Sequence, residues 1–155
     1  MPTKIDMNAL ESSLFILFLI ATSAFFAISE ISLAAARKLK LEQLLEEGDA
    51  RAANVLLLQE KPGYFFTAVQ IGLNTVAILA GVVGEGAYAP VLSAFFNQFV
   101  QNEVAETLGS VTSFVVVTTL FILVADLLPK RIAIVAPEAI ALRISGPMLF
   151  CLKVT

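Results

Sequence analysis

Three long stretches of the chain carry no charged residue: Ser12 to Ser29, Pro62 to Gly84 and Thr107 to Ala125, of 18, 23 and 19 residues. The first continues apolar beyond Glu30 as far as Ala36. A helix needs about 20 residues to cross the hydrocarbon core of a bilayer, so each run is long enough. Stretches such as Phe114-Val-Val-Val-Thr-Thr read as strand in water, but a single segment surrounded by lipid satisfies its backbone only as a helix. Between the first two runs the pattern changes. Leu41, Leu44 and Leu45, then Ala52, Val55 and Leu56, recur at helical spacing among charges. Gly48-Asp49 splits this stretch into two short amphipathic helices suited to a membrane surface. After the third run, Pro137-Glu138 opens a further helix, with proline at the first position and an acid in the first turn. Gly146-Pro147 is expected to break or kink it. The predicted class is all-α integral membrane: spans near 10–34, 63–84 and 108–128, juxtamembrane helices over 37–60, a connecting segment over 85–107, and a last helix over 137–155.

Composition strengthens this picture. The 155 residues are 58% hydrophobic and 15% charged, with a mean hydropathy of +0.87; soluble domains carry about 25% charged residues. A net charge of −3 gives no basis for nucleic-acid binding. One cysteine, Cys151, excludes an intrachain disulfide. The lack of histidine excludes imidazole metal sites and Ser-His or Cys-His catalysis. No nucleophile–base pair is visible and no enzyme is expected; Glu30 with Asp126 at most imitates a carboxylate pair. The first run is too long for a cleavable leader and lacks its basic start and small-residue cleavage site, so the first helix is expected to stay. The apolar run Met148–Thr155 stops abruptly, as in a piece of a longer protein.

Charge sets the expected orientation. Arg37, Lys38, Lys40, Arg51 and Lys61 lie between the first two runs, and Lys130, Arg131, Arg143 and Lys153 follow the third. The segment from Glu85 to Glu106 has no lysine or arginine. The positive-inside rule then puts 37–61 and everything after 130 in the cytoplasm, and the 85–106 segment and the N-terminus outside, with Lys4 a mild counter-signal and Asp6 and Glu11 of little weight.

The candidate chemistry lies in polar groups within the apolar runs. Asp126 stands at the end of the third. A carboxylate in such a helix costs roughly 2.5–3.5 kcal/mol at the bilayer centre and less toward the ends, so it normally faces a protein interior or a water-filled cavity and has a partner. The simplest alternative is snorkelling or a pair with Lys130 one turn on. Thr22 and Ser29, with Ser32 close by, share a face of the first run. Thr67, Gln70 and Asn74 share one in the second, and Thr112, Thr119 and Asp126 one in the third. For the serines and threonines, bonding to their own helix or gluing helices together is the commoner use. Pro129 removes a donor from the carbonyl of Ala125 and disfavours helix at Leu128. Gly72 permits close approach of a backbone or an ion, and Gly81, Gly84 and Gly86 with Ala77 and Ala80 form a small-residue packing face. Oxygen ligands without sulfur or imidazole suit Mg²⁺, Ca²⁺ or Na⁺, or an ammonium group.

Several of these residues also fall into motifs. Phe25-Phe26-Ala27-Ile28-Ser29-Glu30 resembles the FFSxSE motif of the first helix of the CNNM/CorC family. Val69-Gln70-Ile71-Gly72-Leu73-Asn74 resembles that family's IGNN region, and Ala125-Asp126-Leu127-Leu128-Pro129-Lys130 with Pro137-Glu138 its GExxPK…PE signature. The match covers nearly the whole chain in order. The resemblance implies a homodimeric cation exporter of the bacterial inner membrane, with three spans, a cytoplasmic helical hairpin and a belt-like last helix. It also implies ATP-binding CBS-pair and CorC-type domains beyond this chain. On this pattern Ser29, Asn74 and Asp126 hold the ion, Mg²⁺ driven outward by Na⁺ in the best-studied members, with Gln70, Gly72 and Glu30 as further site candidates and no covalently bound cofactor. Leu73 replaces the first asparagine of the pair, and Ala125-Asp126 replaces Gly-Glu. The shorter aspartate would require a Mg²⁺ sphere of about 2.0–2.1 Å to readjust. The motifs ADLxPKR and APEAxALRI are similar to those of the branch exporting the polyamines putrescine and cadaverine. A diamine wants two acceptor clusters: Asp126 for one ammonium, Glu30 or Glu85 for the other. A membrane-anchored regulator without transport is the reading from a different class. A pore-forming haemolysin gains nothing from a chain without a charged amphipathic wall.

Overall fold

A computed structural model describes residues 9–154, all of whose regular elements are helices. They are α1 (Ala9–Ala35), α2 (Lys38–Glu46), α3 (Arg51–Glu60), α4 (Pro62–Phe96), α5 (Asn102–Phe121), a π-helical segment (Ile122–Leu127), α6 (Leu128–Ala133) and α7 (Pro137–Val154). Lys4 and Asp6 lie outside the described residues, as does Thr155 at the end of the expected last helix. Three helical stretches are long and apolar enough to cross a membrane: Leu10–Ala35, Pro62–Phe96 and Asn102–Ala133. In their most apolar windows only 17–28% of residues are buried, so their apolar side chains face outward, as a lipid solvent favours and water does not.

The helix after Lys61 does not stop near residue 84. It continues through Pro90 to Phe96, roughly 52 Å at 1.5 Å per residue, well beyond a 30 Å hydrocarbon core. Pro90 is accommodated inside it. Likewise α7 runs through Gly146-Pro147 without a break, with Met148 just beyond fully buried. Pro129 does not stop the third span either. The chain widens into the π-helical segment just before it and resumes as α6 with proline near its start.

Two compact units emerge. The first comprises the described residues up to Thr22 with Thr75–Val124. Here α4 and α5 meet through small residues. A Cβ on Gly81 would lie 2.7 Å from both the Phe114 ring and Thr118 Oγ1, one on Gly84 would strike Val117, and one on Gly109 would meet Ser93 and the carbonyl oxygen of Ala89. Gly86, expected on the same face, meets nothing within 4 Å. Ser113 donates to the carbonyl of Gly84 at 3.0 Å, fixing the contact.

The second unit comprises Ser23–Asn74 and the residues from Ala125 onward. Its core joins Ala27, Leu33 and Ala36 of the α1 end, Leu41 of α2, Ala52, Val55 and Leu58 of α3, Phe65, Val69 and Leu73 of α4, and Ala141, Leu142 and Met148 of α7. The α2–α3 hairpin turns at Gly48, whose φ of +100° favours glycine. Asp49 steadies the turn by accepting from the Arg51 backbone and side chain. Gln59 of α3 donates to the carbonyls of Leu33 and Ala36 at 3.0 and 3.1 Å, supplying partners at the end of α1, where a helix has none of its own.

Candidate functional site

Glu30, near the C-terminal end of α1, and Asp126, in the π-helical segment, converge on one ammonium. Lys130 Nζ lies 2.7 Å from Glu30 Oε2 and 3.1 Å from Asp126 Oδ1. Both oxygens are closed to solvent, although each side chain is about a quarter exposed. Both acids hold the ammonium by charge, and at these distances its N–H groups are close enough to donate to them. Asp126 therefore does pair with Lys130 one turn on, the simplest alternative in the sequence. It does not do so alone, because Glu30 reaches the same nitrogen from another helix. With all three ionised, the cluster keeps one net negative charge.

Asp126 lies in the π-helical segment, and its four-residue spacing from Lys130 lets the two pair. The segment's i→i+5 bonding places one extra residue in a turn, setting the chain back by about one residue's rotation, roughly 100°. The seven-residue spacing of Thr112, Thr119 and Asp126 assumed a uniform helix, and Thr119 is in fact exposed. Such widenings are frequent at functional sites.

The other candidates are placed as follows. Ser29 is fully buried and donates to the carbonyl of Phe25 at 2.7 Å; Ser32 donates to that of Ser29. The Ser29 hydroxyl thus spends its proton on its own helix and offers only lone pairs. Gln70 and Asn74 are exposed on α4, with Gln70 Nε2 3.5 Å from Asn74 Oδ1. The space beside Gly72 is bordered by the Phe26 ring, 3.1 Å from where a Cβ would stand, so the close approach that this glycine allows is made by an aromatic side chain. In the first unit Glu85 accepts a hydrogen bond from Ser110, and the nearby helix α5 buries Thr118 Oγ1 without a partner. Among the described residues, no three acidic or cysteine side chains gather as a metal cage.

A second ion pair fixes the end of α1. Arg37 Nε and its backbone N–H both reach Glu138 Oε1, at 3.1 and 3.3 Å, holding the start of α7. Burial pushes the Glu138 carboxyl up, but bonds from its own backbone N–H and from the Arg37 side chain and N–H outweigh it, so the group titrates below the ordinary carboxylate value of 4.5. The sequence flagged Glu138 only as a helix opener and missed Gln59 altogether. It named Lys130 only for Asp126, since a four-residue spacing exposes one partner and hides a partner 100 residues away.

The family model described as the Cyclin M transmembrane N-terminal domain, CNNM, matches residues 14–155. The chain belongs to the CNNM family. Among curated relatives of this CNNM chain, the polyamine export protein of Salmonella typhimurium is 60% identical over 144 residues, covering 92% of the chain and 32% of that protein. That of Escherichia coli K12 is 57% identical over 145 residues, 94% of the chain and 32% of the relative. That of Haemophilus influenzae is 47% identical over 148 residues, 96% and 34%. The chain spans about a third of the length of these relatives. Membership, together with three apolar helices, makes it a multi-pass membrane domain.

Proposed function

We propose that this chain is the membrane domain of a cation exporter whose cargo is a diamine of the putrescine–cadaverine kind. The observation that carries this reading is the convergence of two carboxylates, Glu30 and Asp126, on a single primary ammonium within spanning helices. Acids in such helices are costly and ordinarily mark ion or substrate paths. A cluster with one net negative charge attracts a cation, and carboxylate oxygens at 2.7–3.1 Å suit N–H donors. The relatives, polyamine export proteins by name, point the same way. Asp126 and Glu30 take an ammonium, and Ser29, Asn74 and Gln70 supply further oxygens with Gly72 beside them. Export proceeds without a chemical reaction on the cargo. The domain works as a homodimer in the inner membrane, with the α2–α3 hairpin and α7 on the cytoplasmic side, where Arg37, Lys38 and Lys40 agree with the positive-inside rule.

The test is export of cadaverine from cells or vesicles carrying the full-length protein. Asp126→Ala should abolish efflux while the protein stays folded. Cells should gain protection against cadaverine at alkaline pH and none against high Mg²⁺. Protection against Mg²⁺ alone would assign a divalent cargo. Unchanged efflux by Asp126→Ala would remove the site, and absence of flux under every gradient would leave a membrane-anchored regulator.

A further inference from the structure

Lys130 is itself an alkylammonium. Its side chain is a four-carbon stem ending in three N–H donors, chemically n-butylammonium, the same group that forms each end of a short diamine. The acidic pair therefore already holds the kind of group that the proposed cargo would present. Three features distinguish this arrangement from a purely structural salt bridge. First, two acids face one cation, so the charge is not balanced as it would be in a one-to-one pair. Second, the two oxygens facing the lysine are closed to solvent, so a group that displaces the lysine has to supply both charge and N–H donors in its place. Third, the lysine side chain is a quarter exposed, so its stem is not sealed inside the protein.

We propose that Lys130 is a tethered stand-in for cargo: its ammonium fills the Glu30–Asp126 pair between transport events and gives way to a primary ammonium of the incoming molecule. This rests on the exporter reading above and adds to it a residue that sets both selectivity and apparent affinity. Any ligand that enters must compete with a group of its own chemistry held at high local concentration. Primary alkylammonium ions match the vacated contacts, while cations without N–H donors lose them. A site that its own lysine fills nine-tenths of the time binds cargo about tenfold more weakly than an unoccupied one.

The experiment uses the full-length protein in detergent, with cadaverine binding measured by titration calorimetry and thermal midpoints measured with n-butylammonium chloride, tetramethylammonium chloride or NaCl at equal concentration. Lys130→Met keeps the stem and removes the ammonium. It should bind cadaverine about tenfold more tightly than the parent, because the internal competitor is gone. Its midpoint should rise with n-butylammonium and not with tetramethylammonium beyond the NaCl control. Unchanged or weaker cadaverine binding with no preference for n-butylammonium would overturn the proposal. Should Lys130→Met not fold, Lys130→Arg replaces it: a guanidinium paired in planar fashion with carboxylates is harder to displace, and cadaverine affinity should fall by about tenfold. Equal affinity in Lys130→Arg would overturn the proposal just as firmly. If Asp126→Ala loses efflux while the Lys130 variants ignore amines, only the stand-in fails. If Asp126→Ala exports normally, the exporter reading fails with it.

Discussion

Removing the charge of Lys130 should destabilise the protein, and removing one acid as well should restore part of the loss. The two carboxylate oxygens lie 2.7 and 3.1 Å from the same nitrogen, hence no more than about 6 Å from each other. Without the ammonium they face each other as like charges. At an effective dielectric of about 20, two unit charges at that separation repel by about 3 kcal/mol. The side chains are a quarter exposed, so solvent screening leaves about 1–2 kcal/mol of this. Lys130→Met should therefore cost about that much beyond the loss of its ion pairs, and Lys130→Met/Asp126→Asn should recover about 1–2 kcal/mol. Asp126→Asn alone should be mild, because Glu30 keeps the ammonium at 2.7 Å and the cluster becomes neutral. Far-UV circular dichroism of the detergent-solubilised protein under thermal or denaturant unfolding reads all three variants, and the lack of tryptophan in this chain recommends it over indole fluorescence. The reasoning fails if the double variant is less stable than Lys130→Met by the full cost of Asp126→Asn, because simple additivity means the two side chains do not share an ammonium.

Three further outcomes follow from other contacts. Gly109→Ala places a methyl against Ser93 N at 2.7 Å and Ala89 O at 2.9 Å, backbone atoms that cannot swing aside, and should cost about 1–3 kcal/mol, whereas Gly86→Ala, with nothing within 4 Å, should be neutral or better in the same unfolding assay. Gln59→Leu strips the donors from the carbonyls of Leu33 and Ala36 and should cost about 1–3 kcal/mol, with faster amide exchange at the end of α1 as the local readout. The Glu138 carboxyl titrates below its ordinary 4.5, so its contribution is present above that pH and is lost as pH falls through the lower folded value; stability below about pH 4.5 should decline less steeply in Glu138→Gln than in the parent, and equal slopes would show that the Arg37 contact adds nothing.

The three spans were legible because the absence of charge over some 20 residues is a direct consequence of lipid as solvent. The hairpin was legible because Gly48 and the apolar spacing around it are local signals. What escaped the sequence was continuity. Pro129 and Pro147 each looked like a break, and the second span was expected to end near 84, yet α7 runs through Pro147, a π-helical segment precedes Pro129, and α4 continues through Pro90. Proline removes one donor, and a helix with apolar neighbours on all sides has no better alternative than to continue, because unwinding would leave more groups unpaired. The candidate site was half legible. An acid at position 126 with a lysine four residues later is visible to anyone counting turns, but the role of Glu30 depends on a contact between residues 100 apart in sequence that no local signal announces.

The charge of this cluster bears on how an exporter could work at all. A site must hold its cargo strongly enough to gather it and weakly enough to let it go. Two carboxylates without a counter-ion, sunk in an apolar helix pair, would hold any cation tenaciously. A lysine on the same stretch of helix moderates this: it offers a competing ammonium whenever cargo leaves. The charge left over by two acids and one ammonium is what would draw a cation inward. Glu30→Gln leaves Asp126 and Lys130 as a neutral pair, which has no residual charge to draw a cation, so this variant should abolish cadaverine efflux even though Lys130 stays held; a Glu30→Gln variant that folds and still exports would show that attraction to this cluster is not what drives the transport.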